Sequence, residues 1–497
     1  MKTSPNSINS FLKEGFFFYL VPSAFLILGV FLRFWNLDLQ SLWGDELFSV
    51  LNASLGSIGE TLVSFESETN PPLHGVLLHF WIQCFSNSPF SVRSFSAVVA
   101  TFTLIIILFR YLKSKEGTDL YAFVFFSVSY GAVYYAQEAR SYSLLILFST
   151  LLVWVFLEMI HNIANDTQSI KTFSKFLIFG TLASYTHYFG ILFLAHLYLS
   201  LIFQSIIQKR WKTIQFLLLS GVLQLLLYSP EIYKLLVLLP KTDRINWIPT
   251  TGIFVYFEIF NYTFFSLSYK KIPVYAIIAF LFFFGIYKNK GSLNRFFYNP
   301  DSKLSRLQFQ HIGFLIVSFL VSTALISLIQ PILTGRNLLV LLYPLILIVS
   351  IWIQSFEKPK EKIKVIIVSL IAILFVLSFT KEYYKPHKEH YKQTVEYLIT
   401  NEKDTELFSY GLDTFFNYYF DQNRLVTNQT VVEFPKLTTG ALDLSKLEKM
   451  KPGSHIILVE TSMQSVYPES EKDRMKKLVS DFQTIPIWGI KLYKLTK

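Results

Sequence analysis

Apolar residues gather along this chain in long blocks, separated by short polar and mostly basic stretches. Blocks near 16–34, 94–112, 119–136, 141–160, 174–190, 190–207, 212–229, 272–287, 311–330, 336–353 and 363–380 each approach the roughly 20 residues a helix needs to cross a bilayer. The pattern predicts an all-α polytopic membrane bundle of about eleven spans. Between the first two blocks, Leu47, Val50, Leu51, Leu55, Ile58, Leu62 and Phe65 recur at spacings near three and four. That predicts one amphipathic helix over 47–68, lying in the interface. Asn70-Pro-Pro breaks it, and the apolar piece Leu73–Phe85 is short for a span, so it is expected to be re-entrant or half-buried. Past Lys381 the pattern changes to mixed polarity. Glu406–Tyr410, Ile456–Glu460 and Ile490–Leu495 read as short strands, with helical patterns near 389–400 and 470–482. The expected organisation is a membrane domain over 1–380, with an outer first loop at 35–92, followed by a small soluble α/β domain over 381–497.

Composition supports a membrane protein: 52% of the 497 residues are hydrophobic and 16% charged, too few for the surface of one soluble globule of this size. The 50 Phe and 28 Tyr suit lipid contact and interfacial belts. A formal charge of +11 is no nucleic-acid signature here, because the cations fall in clusters between apolar blocks. Arg110/Lys113/Lys115, Lys171/Lys175, Lys209/Arg210/Lys212, Lys288/Lys290/Arg295 and Lys358/Lys360/Lys362/Lys364 fall on one side if the Leu73 piece and the piece at 252–269 do not cross. The positive-inside rule then puts the N-terminus in the cytoplasm and the domain beyond 381 outside it, on a multi-pass cell-membrane protein. The first block is longer than a signal-peptide core and lacks a small-residue cleavage site, so it is expected to remain as the first span. The one cysteine, Cys84, excludes an internal disulfide and a multi-cysteine metal site, and reads as a packing residue.

On this topology several polar groups share the outer face. Ser41-Leu-Trp43-Gly-Asp45-Glu46-Leu-Phe48 places two carboxylates where the first span emerges; they read either as solvated first-turn acids or as reacting groups. Tyr135-Ala-Gln137-Glu138-Ala-Arg140, Tyr185-Thr-His187-Tyr188 and Gly335-Arg336 follow later spans. Polar groups at such depth are costly, so their convergence on one face suggests a site. A carboxylate base and arginine forks suit transfer from a membrane-embedded phosphate ester: the base takes the acceptor's proton, and the arginines stabilise the charge growing on the leaving phosphate. No GxxxxGK loop or Asp-x-Asp pair is present to hold a nucleotide, which favours a lipid donor. His74 and His79 are five apart and do not share a helix face, and Glu66 and Glu68 read more simply as solvated acids than as metal ligands; no metal or other cofactor is expected. A transporter or lipid flippase with an outer-face polar site is the alternative, but it should show mid-span polar residues and an inverted repeat, neither of which is clear.

Trp43-Gly-Asp-Glu, Asn70-Pro-Pro-Leu-His74, Tyr135-Ala-Gln-Glu-Ala-Arg-Ser-Tyr142, Tyr185-Thr-His-Tyr-Phe-Gly190 and Gly335-Arg-Asn-Leu-Leu339, in that order, resemble the C-type membrane glycosyltransferases. The nearest group is the bacterial relatives of protein O-mannosyltransferases and of the lipid A aminoarabinose transferase. The resemblance implies a polyprenyl-phosphate-sugar donor, an acceptor it does not identify, and a cavity facing out of the cytoplasm. Carried over by position, Asp45 matches the catalytic acid of the first outer loop, with Glu46 its neighbour. Glu138 and Arg140 match a second polar cluster that contributes a further catalytic carboxylate and a phosphate-binding arginine, and Arg336 an arginine near the lipid phosphate. Trp43, His74, Tyr135, Gln137, His187 and Tyr188 are expected to line the substrate site. The residue before Pro-Pro is often His or Lys in these relatives. Here Asn70 brings a hydrogen bond to phosphate but no charge, so Arg140 and Arg336 are expected to carry more of the binding.

Overall fold

The computed structural model describes residues 5–66, 70–167, 169–238, 256, 263–264, 303–356, 360–384, 388–424, 426–437, 441–461 and 466–497. The block near 272–287, Glu68, Lys358 and the cations Lys288, Lys290 and Arg295 lie outside the described residues. In chain order the first helices are α1 (Pro5–Phe34), α2 (Gly44–Ala53), α3 (Ile58–Glu66), α4 (Leu73–Cys84), α5 (Pro89–Ser114), α6 (Gly117–Val128) and α7 (Tyr130–Tyr134). Then come α8 (Tyr142–Ala164), α9 (Ile170–Thr186), α10 (Tyr188–Ile207), α11 (Trp211–Leu227), α12 (Ser229–Tyr233), α13 (Lys303–Ile329), α14 (Leu342–Gln354) and α15 (Glu361–Tyr384). The remainder is α16 (Tyr391–Asn401), β1 (Glu406–Ser409), α17 (Asp413–Gln422), β2 (Val431–Glu433), α18 (Ser445–Glu448), β3 (His455–Thr461), α19 (Glu469–Lys476), β4 (Asp481–Ile487) and β5 (Ile490–Thr496). The chain divides into two compact units. One comprises Met1–Trp35, Gly56–Trp81 and Arg93–Lys381; the other comprises Asn36–Leu55, Ile82–Val92 and Glu382–Lys497.

The first unit is helical among its described residues. Six of its helical stretches, such as Tyr142–Ala164 and Glu361–Thr380, are long and apolar enough to cross a membrane, which makes this a multi-pass membrane protein. A seventh candidate, Trp211–Leu227 with Ser229–Val237, is bent by 65°. Pro230 sits at the start of the second piece, where it starts a helix readily but cannot continue the one before it. Six or seven therefore stand among the described residues where the apolar blocks predict about eleven. One cause is visible at 119–136, which is a broken helix. Ser129 is extended, ends α6, and starts α7 by accepting the Ala132 N–H at 3.3 Å. The carbonyls freed at that break are taken by Arg33, which is wholly buried and donates to Ser127 O at 2.8 Å and Phe126 O at 3.1 Å. Arg33 so fastens α1 to the end of α6.

The single amphipathic helix expected over 47–68 is two helices. Ser54, Leu55, Gly56 and Ser57 interrupt it. Ser57 and Glu60 form a reciprocal cap, with the Glu60 N–H on Ser57 Oγ at 3.2 Å and the Ser57 N–H on Glu60 Oε2 at 3.3 Å. The apolar spacing persists on both sides of the break, which is why periodicity alone bridges it. Cys84, expected in the core, is exposed at the end of α4.

The second unit contains a five-stranded sheet in the order β2-β1-β3-β5-β4. Strands β1, β2 and β3 are parallel, with Leu407 opposite Val431 and Ile457; β5 is antiparallel to both β3 and β4, with Leu458 opposite Tyr493. Alternate residues Phe408, Ile456, Leu458, Tyr493 and Leu495 form a core with Tyr467 and Met475, as period-two alternation requires. The helical pattern expected over 470–482 stops at Lys476, and Asp481–Ile487 is instead strand β4. This edge strand carries Asp481, Gln483, Thr484 and Pro486, a polar composition that hides a strand signal and suits an unpaired edge. Helices α16 and α17 pack through Tyr391, whose ring centroid is 5.1 Å from that of Phe416.

Candidate active site

Two constellations hold the residues singled out above, one in each unit. In the second unit the chain enters α2 through Trp43, which is extended, and Gly44 takes the first helical position. Asp45 and Glu46 thus fall in the first turn, where the helix dipole favours negative charge. Adjacent helix positions point about 100° apart, and the two carboxylates meet different surroundings. Glu46 turns back to accept the Trp43 N–H at 3.3 Å, is wholly buried, and pairs with Lys388 at 3.4 Å. Lys388 also lies over the Trp43 indole, 5.7 Å from its centroid. Asp45 is half-buried. Glu389 accepts hydrogen bonds from the Tyr391 hydroxyl and the Gly44 N–H; burial raises its carboxyl above the usual range, and the Asp45 charge adds to the rise.

In the first unit, α7 runs into a 3-10 turn over Tyr135–Gln137, after which Glu138 is extended and buried. The Gln137 amide nitrogen donates to Leu32 O at 2.8 Å and Trp35 O at 2.9 Å, so that nitrogen closes the end of α1. Tyr135 packs edge-on against Tyr142 at 4.7 Å, and Tyr142 stands 5.9 Å from His187. His187 links α9 to α10. Its Nδ1 accepts the Phe189 N–H at 3.1 Å, which caps α10 and leaves the proton of the neutral ring on Nε2. Burial, and then the charges of Arg140 and Arg336, push the His187 pKa down to about 3. His74 is likewise pushed down to about 3, by burial and then by Arg140. Its Nε2 is buried with no hydrogen-bond partner among the described residues. Arg336 stands in the 3-10 turn Gly335–Leu341, which packs against α8 and α10. Arg140, Arg336, His187 and His74 thus form one electrostatic neighbourhood of two fixed cations and two neutral imidazoles, a set of donors suited to a phosphate.

Other expected residues are engaged differently. Tyr188 donates its hydroxyl to Glu231 at 3.3 Å, Glu231 stands 3.7 Å from Lys234, and the Lys234 ammonium donates to the backbone carbonyl of Asn70 at 2.9 Å. Asn70 therefore meets a buried lysine through its main chain, which bears on the missing charge before Pro-Pro. Nothing in the local sequence marks Glu231 and Lys234, whose partners Tyr188 and Asn70 lie 43 and 164 positions away. Lys388 and Glu389 are not marked in the sequence because Glu46 and Gly44, which they meet, are more than 300 residues away in the chain; the local signal is the cation-rich run Lys381–Lys392. Among the described residues no three His, Cys, Asp or Glu side chains group as metal ligands.

Residues 69–233 match the family model described as dolichyl-phosphate-mannose-protein mannosyltransferase, a stretch that holds Asn70, His74, Glu138, Arg140 and His187 but neither Asp45 nor Arg336. No curated protein matches the chain by sequence. Among solved structures, the chain is similar to the apo crystal structure of ArnT from Cupriavidus metallidurans, at 12% identity and a TM-score of 0.59 over 95% of this chain and 97% of that one. It is similar also to ArnT from the same organism bound to undecaprenyl phosphate, at 13% identity and a TM-score of 0.57 over the same shares. At these identities the likeness is one of fold.

Proposed function

We propose that this chain is a C-type membrane glycosyltransferase, a reading supported by the family-model match over 69–233 and by the shared fold, and that it moves one sugar from a polyprenyl phosphate onto an acceptor on the outer face of the cell membrane. The observation that carries the reading is the pairing of a fold shared along 95% of the chain with the cluster Arg140, Arg336, His187 and His74. The solved relative that holds undecaprenyl phosphate supports a lipid of that class as donor.

In the proposed reaction an acceptor hydroxyl or amine attacks the anomeric carbon, and the bond from that carbon to the phosphate oxygen breaks. The sugar passes to the acceptor; the polyprenyl phosphate leaves with one more negative charge than it had as a diester. Asp45 takes the acceptor's proton: it stands half-buried in the first turn of α2, where the helix dipole favours a carboxylate, while Glu46 is buried against Lys388. Arg140 and Arg336 meet the growing phosphate charge, which gives them more to stabilise in the transition state than in the ground state. The Nε2–H of His187 adds a neutral donor. Glu138 is assigned to holding this polar segment in place, and Glu46 to anchoring α2.

The test is mass spectrometry of polyprenyl-phosphate sugars and surface glycans in a strain lacking the gene. Accumulation of one lipid-linked sugar, with loss of that sugar from a surface glycan, lipid or protein, is the expected result and names both substrates. An unchanged lipid-linked pool with unchanged surface sugars would remove the proposal.

A further inference from the structure

The stretch Asp38–Glu46 is held at almost every step by the chain beyond residue 387. Lys392 pairs with Asp38 at 3.2 Å, and the Lys388 N–H donates to Gln40 Oε1 at 3.2 Å. Ser41 is bridged twice: its hydroxyl donates to Gln393 Oε1 at 2.9 Å and accepts the Lys392 N–H at 3.0 Å. The Leu42 N–H donates to the Tyr419 hydroxyl at 2.6 Å. Trp43 lies under the Lys388 ammonium, the Gly44 N–H meets Glu389, and Glu46 pairs with Lys388. Helix α2 itself packs on α17.

This density has a physical consequence for Asp45. A ten-residue helix is marginal by itself in water, so the direction of its first turn is set by what it docks on. Lys388 and Glu389 take the two groups that flank Asp45 in sequence, the Gly44 N–H and the Glu46 carboxylate, and so fix the turn from both sides. Gly489 makes room for this: a Cβ there would come within 3.0 Å of Glu389 Cγ and 3.2 Å of its Cα.

We propose that Lys388 and Glu389 are positioning residues for the transfer reaction, and that the domain after the last span works as the mount of the first outer loop. The proposal rests on the reading of Asp45 as the base. Lys388 packs beside the buried Glu46, so a neutral replacement removes the ion pair that ties α2 to this segment and loosens the turn that aims Asp45. A displacement of about 1 Å at a reacting group costs on the order of a hundredfold in rate.

The experiment uses the full chain. Variants Lys388→Met, Lys388→Arg, Glu389→Ala, Glu389→Gln and Asp45→Asn are returned to the deletion strain, and clearance of the accumulated lipid-linked sugar is timed by mass spectrometry. In parallel, undecaprenyl phosphate binding and amide exchange over residues 43–50 are measured on purified protein. Lys388→Met and Glu389→Ala should clear the donor on the order of a hundredfold more slowly, bind undecaprenyl phosphate as the parent does, and exchange faster over 43–50. Lys388→Arg and Glu389→Gln, which keep the ammonium-type pair and the hydrogen-bond acceptor, should recover most of the rate. Full-speed clearance by Lys388→Met and Glu389→Ala overturns the proposal, as does an equal slowing by all four variants with exchange unchanged. Full-speed clearance by Asp45→Asn would instead overturn the base assignment, and the exchange data would then decide the mounting role alone.

Discussion

Asp45 and Glu46 are neighbours in sequence, yet the structure gives them different surroundings, and the proposed roles differ accordingly. Asp45→Asn keeps the shape of the side chain and removes the proton acceptor, so transfer should fall by about a hundredfold to ten-thousandfold while undecaprenyl phosphate still binds. Glu46→Gln should act on stability first, because it leaves the buried Lys388 ammonium without its carboxylate, a loss of about 3–5 kcal/mol. Thermal unfolding and single-turnover rates of both variants separate the two effects; a stable but inactive Glu46→Gln protein would reverse the assignment. Arg336 makes a second case. A lysine carries the charge but lacks the planar fork, so Arg336→Lys should lose transfer nearly as far as Arg336→Ala, by about a hundredfold to a thousandfold. Near-normal turnover by the lysine variant would leave Arg336 as a helix-end cation only.

The junction of α9 and α10 shows how an element boundary places a candidate group. Helix α9 ends because His187 is extended, and α10 begins because the same residue caps it through Nδ1. Gly190 permits that tight passage: its N–H donates to His187 O at 2.7 Å, and a Cβ on it would fall 2.2 Å from the carbonyl oxygen of Ala183. A backbone oxygen cannot swing aside as a side chain can. Gly190→Ala should therefore cost about 1–3 kcal/mol and disturb His187, seen as a lower melting temperature and weaker undecaprenyl phosphate binding. A variant with parental melting and binding would mean the passage has slack. At the end of α16, beside the sheet, Glu402 is a buried carboxylate under opposed influences. Burial raises its pKa, but hydrogen bonds from Lys494 at 2.7 Å and His455 at 2.8 Å outweigh that and hold it below the usual value. Its ionised form is thus favoured by folding. The stabilisation is present above the unfolded value of about 4.3 and is lost as pH falls through the lower native value. Lys494→Met should flatten the acid side of the melting-temperature profile; an unchanged slope would assign acid sensitivity to other carboxylates.

For the molecule as a whole, the basic cluster Lys360, Lys362 and Lys364 opens the last apolar helix, α15, and the sheet-bearing domain follows it. The charge rule predicts the cluster in the cytoplasm and residues 384–497 outside it. A reporter fused at the C-terminus and active only outside the cytoplasm should be active, and one active only in the cytoplasm should be silent. The reverse pattern would turn the whole arrangement over. The two compact units are interleaved in sequence, since 36–55 and 82–92 belong with the chain after 381. Truncation near 381 should for that reason cost more than the loss of a separate appendage: it removes Lys388, Lys392, Gln393 and Tyr419, whose contacts hold Asp38–Glu46.

Hydrophobic blocks, cation clusters and period-two alternation were enough to read a multi-pass helical protein followed by a sheet, because those patterns reflect solvent, and each segment meets its solvent independently. Asp45, Glu138, Arg140 and Arg336 could be picked out for the same reason: charges near lipid are costly wherever they occur. The break at Ser54–Ser57, the edge strand Asp481–Ile487 and the halt of α6 at Ser129 were not legible, since each depends on hydrogen bonds or sheet edges that leave apolar spacing almost unchanged. The partnerships were hidden altogether. Lys388 and Glu46, Lys234 and Asn70, and Arg33 and Ser127 stand between 94 and 342 positions apart, and no local propensity carries information over that separation. Which carboxylate pairs with Lys388, and which nitrogen of His187 keeps its proton, follow from long-range packing and from the cap at one helix end, because only folding brings those partners within hydrogen-bond reach.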